Sequence, residues 1–185
     1  MLNKFFIALF IFISFSQSIY ANEIQLIIDQ LIRTDNITFD FEQSTNSKKE
    51  MGTCILVFDN KLSCNYKDSV QKRILINDKI LVVQQKRYDK IYFYPISNSP
   101  FIKIFNKSNL VSLIEKSNYK INDKIELTYV DQNKNKIIIF FEKNSYNLIG
   151  WKVVDQLQNI INFSLKIKKV NSEINLEIFK VPSVN

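Results

Sequence analysis

Histidine is absent from this 185-residue chain, and with it go the commonest general base and the commonest transition-metal ligand. Glycine occurs only at Gly52 and Gly150, so no glycine-rich loop can cradle a phosphate. The carboxylates are scattered over turns and wet strand faces. Glu42 and Asp155, the two that invite a catalytic reading, are accounted for as solvated or strand-end charges. No cluster of metal-ligand type is visible, and no metal or other cofactor is expected. Internal repeats, low-complexity linkers and a βαβ rhythm are also missing, which leaves one antiparallel domain. These absences argue for binding and against catalysis.

What is present begins with a leader. Lys4 precedes an unbroken apolar run from Phe5 to Phe15, followed by a small and polar approach to Ala21. That is the pattern of a secretory signal peptide over residues 1–21, cleaved after Ala21. The run is short for a membrane span, which takes roughly 20 apolar residues. No cysteine follows the cleavage point to accept a lipid, and no second apolar span follows, so a soluble exported domain over residues 22–185 is expected. The chain carries 25 basic and 18 acidic residues, a net charge of +7, one unit of which leaves with Lys4. Such a balance draws acidic partners or anionic lipid head groups, but Ile, Lys and Asn crowd the whole chain, and charge alone names no partner. Lys86, Arg87 and Tyr88 followed by Tyr92, Phe93 and Tyr94 interleave bases with aromatics. In an exported protein this reads as a strand pair with a basic turn, and no nucleic acid is expected.

The stretch from Gly52 to Tyr66 organises the rest. Two β-prone runs flank Asp59-Asn60, residue types that tolerate a tight reversal. Alternation places Cys54, Leu56 and Phe58 on one face and matches them with Leu62, Cys64 and Tyr66 across the turn. The other face carries Thr53, Ile55, Val57, Lys61, Ser63 and Asn65, which suits a strand pair with one side wet. With Asp59 central, Cys54 faces Cys64. Export permits a disulfide between them; the alternative is two buried thiols.

Elsewhere the periodicities are those of strands with a few helices. Ile24, Ile27, Ile28, Leu31 and Ile32 recur at helical spacing over residues 22–34. Ile37, Phe39 and Phe41 then alternate as a first strand, and polar Ser44 to Glu50 reads as an exposed loop. Val70–Ile76 and Lys79–Gln85 pair around Asn77-Asp78, and Ile91–Tyr94 is stopped by Pro95. Ser99 and Pro100 suit a helix start, with Phe101, Ile104 and Phe105 on one face. Ser108 or Asn109 caps a second helix that gathers Leu110, Leu113 and Ile114. Strands resume with Ile125, Leu127 and Tyr129, then Ile137–Phe141 after a turn at Asn133–Asn135, Gly150–Asp155, Ile161–Ile167, and a last one at Ile174, Leu176 and Ile178. About ten strands with one apolar face must curl or be covered. The expected fold is mainly β, an incomplete and strongly curved antiparallel barrel with short helices. The aromatic surplus, partly leader material, fits equally a filled core or an apolar cavity for a hydrophobic ligand.

The order of these features resembles the outer-membrane lipoprotein carrier (LolA) family across nearly the whole mature chain. The likeness rests on the N-terminal helix, the strand ending Phe41-Glu42-Gln43, Gly52 opening a hairpin, Ser99-Pro100-Phe101-Ile102 starting a central helix, and Gly150-Trp151-x-Val-x-Asp155. It implies a half-barrel whose lid covers an acyl-chain cavity, and a monomeric periplasmic carrier that receives lipoproteins from an inner-membrane ABC transporter and passes them to an acceptor lipoprotein at the outer membrane. On this reading Leu56, Phe58, Leu62, Tyr66, Ile74, Ile76, Tyr92 and Tyr94 line the acyl-chain site. The lid carries Phe101, Ile104, Phe105, Leu110, Leu113 and Ile114. The sequence departs from the family at Phe58, where other members carry an arginine that contacts the lid, so closure is expected to rest on apolar contact alone. The competing readings are a periplasmic module that senses lipids or lipoproteins in a signalling pathway, betrayed by a membrane-protein partner, and a lipid-handling enzyme, betrayed by ester turnover.

Overall fold

The computed structural model describes residues 23–46, 48–58, 60–96, 102–132, 134–154 and 158–182. The leader with its cleavage site, and the expectations for Asp59, Ser99, Pro100, Phe101 and Asp155, lie outside the described residues. Helix α1 covers residues 23–32. It is followed by β1 (Asn36–Thr45), β2 (Lys48–Val57), β3 (Lys61–Tyr66), β4 (Lys72–Asn77), β5 (Ile80–Gln85) and β6 (Lys90–Pro95). Two short helices, α2 (Ile102–Phe105) and α3 (Lys107–Glu115), interrupt the strands. Then come β7 (Asn118–Ile121), β8 (Lys124–Val130), β9 (Lys136–Glu142), β10 (Leu148–Val154) and β11 (Ile160–Val170). All eleven strands form one antiparallel sheet in the order β6-β5-β4-β3-β2-β1-β11-β10-β9-β8-β7, open between β6 and β7. No helix among the described residues is long and apolar enough to cross a membrane.

With so little glycine, the chain makes several of its reversals from asparagine and aspartate. Asn46, Asn60, Asp78, Asp89 and Asn171 all take positive φ, the left-handed region these short polar side chains tolerate best after glycine. Two register shifts, at Thr38/Phe39 in β1 and at Leu148/Gly150 in β10, add the local bend that a β-bulge supplies. The inward residues of distant strands, Leu62 of β3 and Ile125 of β8, therefore join one buried cluster with α1, α2 and α3. This is the curved half-barrel that the alternation implied.

The β2–β3 hairpin has the expected register: Cys54 faces Cys64, Leu56 faces Leu62 and Gly52 faces Tyr66. A disulfide joins Cys54 to Cys64, whose Cα atoms are 4.1 Å apart.

Four local expectations are corrected. Ser44–Glu50 is not a loop, because β1 and β2 continue through it, pairing Thr45 with Lys48; ladder hydrogen bonds and the Lys49–Glu42 and Lys48–Glu50 ion pairs sustain strands without apolar side chains. The cap of α3 is Asn106, whose side chain accepts from the Asn109 backbone N–H. Strand β7 is an addition, a four-residue edge strand too short for alternation to reveal. The last expected strand does not form. Ile174 and Ile178 lie on a strap, with a 3-10 turn at Leu176–Phe179, that crosses the convex face and buries Leu75, Val82 and Phe179 beside Ile55 and Val57. That face of the hairpin is therefore not wet, and Ser63 is buried.

Replacing both cysteines by alanine is expected to lower unfolding free energy by about 2–3 kcal/mol, the range for so short a loop, read as a lower denaturant midpoint. Native protein treated with a thiol label should take up none; two labels per chain would contradict the pairing.

Candidate functional site

Pairing registers fix which side chains meet on the concave face. Ile37, Phe39, Phe41 and Gln43 of β1 point inward, as do Leu62, Cys64 and Tyr66 of β3, Lys72, Ile74 and Ile76 of β4, and Phe163 of β11. Gly52 makes one aromatic arrangement possible. A Cβ there would lie 2.2 Å from the Asn65 carbonyl oxygen and 2.6 Å from Phe41 Cε1, so only glycine lets the Phe41 ring lie over this strand. Phe41 then meets Tyr66 edge-on at 4.9 Å and stacks on Phe163 at 5.0 Å. Phe163 stacks on Trp151 at 4.2 Å, and Trp151 meets Phe105 of α2 edge-on at 6.0 Å. A continuous line of rings thus runs from β3 to the roof. Gly150 admits this packing from the other side, since a Cβ there would lie 2.4 Å from the Phe163 carbonyl oxygen.

Between the sheet and the roof is a cavity of about 250 Å³, lined by Phe39, Leu62, Cys64, Ile74, Ile76, Leu81, Ile96, Phe105, Trp151, Ile161 and Phe163, with Gln43, Tyr66 and Lys72 at one end. The polar end is a connected group. Lys72 donates to Glu50 at 2.6 Å and stands 3.8 Å from the centre of the Tyr66 ring. The Tyr66 hydroxyl donates to Gln43 Oε1 at 3.1 Å. Burial, with the carboxylates of Glu50 and Asp68 adding to it, pushes the Tyr66 hydroxyl far above its ordinary range, so it stays a neutral donor. For Glu50, burial opposes ionisation, but hydrogen bonds from Lys72 and Lys48 outweigh it and hold the carboxyl below its ordinary value.

The roof is built from α2 and α3. Ile104, Phe105, Leu110, Leu113 and Ile114 are all buried against the concave face. Polar contacts also hold it. The Asn60 N–H donates to the Phe105 carbonyl at 3.4 Å, and Lys107 donates to Asp35 and to the Ile32 carbonyl, both at 3.1 Å. The roof is therefore held by more than the apolar contact that the loss of the family arginine suggested; Lys107 of α3 reaches back to the end of α1.

Of the lining residues expected from sequence, Leu62, Tyr66, Ile74 and Ile76 come together around the cavity. Leu56 and Phe58 are buried elsewhere in the same core, Phe58 in a crevice against Leu31 and Ile37, because α1 fills that part of the concave face. Tyr92 and Tyr94 share the inward side with Val83 and Leu81 but are 39% and 48% exposed on the edge strand, beyond the described part of the roof. Alternation alone could not separate cavity wall from packed core. It also missed the walls from β1, β10 and β11, Phe39, Trp151 and Phe163, whose proximity to β3 appears only once β1 is known to pair with β11. A second hollow, about 460 Å³, lies on the convex face beside the strap, with the charged residues Arg73, Lys86 and Glu177 among those lining it.

Comparisons with known proteins agree with this geometry. The family described as "Outer membrane lipoprotein carrier protein LolA" matches residues 33–182. No curated protein matches significantly. Among solved structures, an uncharacterized conserved protein from Thermus thermophilus is similar with a TM-score of 0.53 at 8% identity, over 88% of this chain and 94% of that one. MucB is similar with a TM-score of 0.53 at 8% identity over 88% of this chain, which spans only 64% of MucB. A DUF1329 family protein from Desulfovibrio piger gives a TM-score of 0.50 at 7% identity, over 86% and 96% of the two chains. At these identities the likeness is one of fold.

The polar end sets a pH response. Because the Glu50 carboxyl is held below its ordinary value of 4.5, its stabilising contribution is complete above that value and disappears as pH falls through the folded-state value. Denaturant titrations between about pH 3 and pH 7 should show stability falling at the acid end, less steeply in Glu50→Gln. Some slope should persist in the variant, since the Asp40 carboxyl is also lowered, by hydrogen bonds from Lys168 and Thr53. Identical slopes in the two proteins would contradict the assignment.

Proposed function

Because the chain belongs to the outer membrane lipoprotein carrier protein (LolA) family, we propose that it is a periplasmic carrier that holds lipoprotein acyl chains in the cavity under α2 and α3. On this reading it takes them from an inner-membrane ABC transporter and yields them to an acceptor lipoprotein at the outer membrane, without chemistry on the cargo. The observation that supports it is an apolar, ring-lined cavity roofed by two short helices whose buried side chains join the same core cluster as the cavity's walls. At about 250 Å³ the space is below the roughly 300–1,000 Å³ of ordinary ligand pockets, so long acyl chains enter only as the roof lifts.

Lifting it is a near-balanced exchange. Acyl chains replace the apolar side chains of the roof, and burial yields about 25 cal/mol per Å² on either side of the exchange. Nearly equal open and closed states suit a carrier, which must release its cargo as well as bind it.

The test is to pin the roof. Asn60→Cys with Asn106→Cys places a pair where the Asn60 N–H already meets the Phe105 carbonyl. Oxidised, this variant should lose uptake of an acylated peptide by tenfold or more, and reduction should restore it; the parent protein, carrying only the native disulfide, serves as the redox control. Uptake equal in both redox forms would make α2 and α3 permanent core.

A further inference from the structure

The cavity's two ends are chemically unlike, and the strand register says which is which. Along paired β3 and β4 the inward side chains run from Leu62 and Ile76, through Cys64 and Ile74, to Tyr66 and Lys72. At two residues per step this spans roughly 13 Å. The first end lies beside the β2–β3 turn, where Asn60 meets Phe105 of the roof, and offers no polar side chain to the cavity. The second end carries Gln43, Tyr66 and Lys72; the other polar group among the lining residues, the Trp151 indole N–H, is fully buried in the wall.

These groups still have hydrogen bonds to give. An ammonium has three donors; Lys72 gives one to Glu50 at 2.6 Å, and its approach to the Tyr66 ring uses no acceptor. Gln43 accepts from the Tyr66 hydroxyl through Oε1, while its amide N–H reaches only Thr45 Oγ1 at a long 3.4 Å. The spare capacity at this end is therefore donor capacity, suited to an oxygen that accepts and does not donate. Glu50 offsets the charge of Lys72, so a neutral acceptor fits as well as an anion.

We propose that Lys72, with Gln43 beside it, binds the carbonyl oxygen of an acyl group, ester, amide or carboxylate, and so seats the chain with its hydrocarbon end toward Leu62 and Ile76. This rests on reading the cavity as an acyl-chain site and adds the direction and chemical class that the site selects. A reversed chain would bury its carbonyl beside Leu62, Ile76 and Phe105, where no described lining side chain presents an exposed donor, the Trp151 N–H being sealed inside the wall. The source of the carbonyl is either an acylated polypeptide or a free fatty acid, and both present the same oxygen.

Trp151, the chain's single tryptophan, lies in the cavity wall and serves as a fluorescence reporter. The parent protein is titrated with dodecanoate, methyl dodecanoate, dodecane and an N-terminally diacylated cysteinyl peptide, alongside Lys72→Met. Because that variant leaves Glu50 without its buried partner, Lys72→Met/Glu50→Gln is titrated as well. The parent should prefer at least one carbonyl probe over dodecane by about tenfold, the worth of one charge-assisted hydrogen bond, and the ratio should approach one in both variants. Dependence on Lys72 for the peptide and not for dodecanoate assigns the acylated polypeptide as the source; the converse assigns the fatty acid. A ratio unchanged in the folded variants overturns the carbonyl site while leaving the acyl cavity standing. Failure of every probe to bind the parent overturns both.

Discussion

An eleven-stranded sheet with one continuous apolar face cannot stand uncovered in water, and the architecture of this protein is a set of answers to that constraint. The sheet bends at two bulges until strands as far apart as β3 and β8 share a core. Helix α1 fills one part of the hollow with Ile27, Ile28 and Leu31, and α3 fills another with Leu110, Leu113 and Ile114. Under α2 the filling is incomplete, and the cavity is what remains. The candidate site is thus a place where ordinary core packing stops short.

The two coverings of the sheet are held differently. On the convex side, Arg73 donates to the Ile178 carbonyl and Asn77 to the Phe179 carbonyl at 3.2 Å, while Phe179 is buried between them in its own apolar cluster. Side chains anchored in β4 grip the strap's backbone. On the concave side, the roof is held mainly by its apolar burial; the polar contacts given by its described residues are one long backbone bond from Asn60 and those of Lys107, whose carboxylate partner Asp35 is mostly exposed, and such an ion pair contributes little against water and salt. The disulfide at Cys54–Cys64 sits in the wall itself, so it fixes the register of the wall.

Much of this was legible in the sequence, for physical reasons that can be named. Alternation of Cys54, Leu56, Leu62 and Cys64 about an Asp-Asn turn gave the hairpin, its register and its buried face, because a one-residue slip would turn every one of those side chains outward. Helical spacing marked Ile104, Phe105, Leu110, Leu113 and Ile114 as one buried surface. The cavity was less legible. Whether an inward residue lines a void or packs against a helix depends on where α1 ends up, and no local pattern records that, which is why Phe58 and Leu62 looked alike. Trp151 and Phe163 were visible only as strand residues until the closure of β1 on β11 placed them opposite β3. The strap escaped because Ile174, Leu176 and Ile178 alternate as a strand does, while both neighbours of β1 were already taken by β2 and β11.

The claim on which the rest turns is that cargo and roof compete for the same concave surface. Hydrogen–deuterium exchange of the protein with and without a diacylated peptide measures that directly. Loading should speed exchange in residues 102–115 and leave the strap at 174–181 unchanged, with β3 and β4 as protected as before. If loading leaves the roof as protected as in the empty protein, or shifts protection on the convex strap instead, the cargo lies elsewhere and the roof is structural.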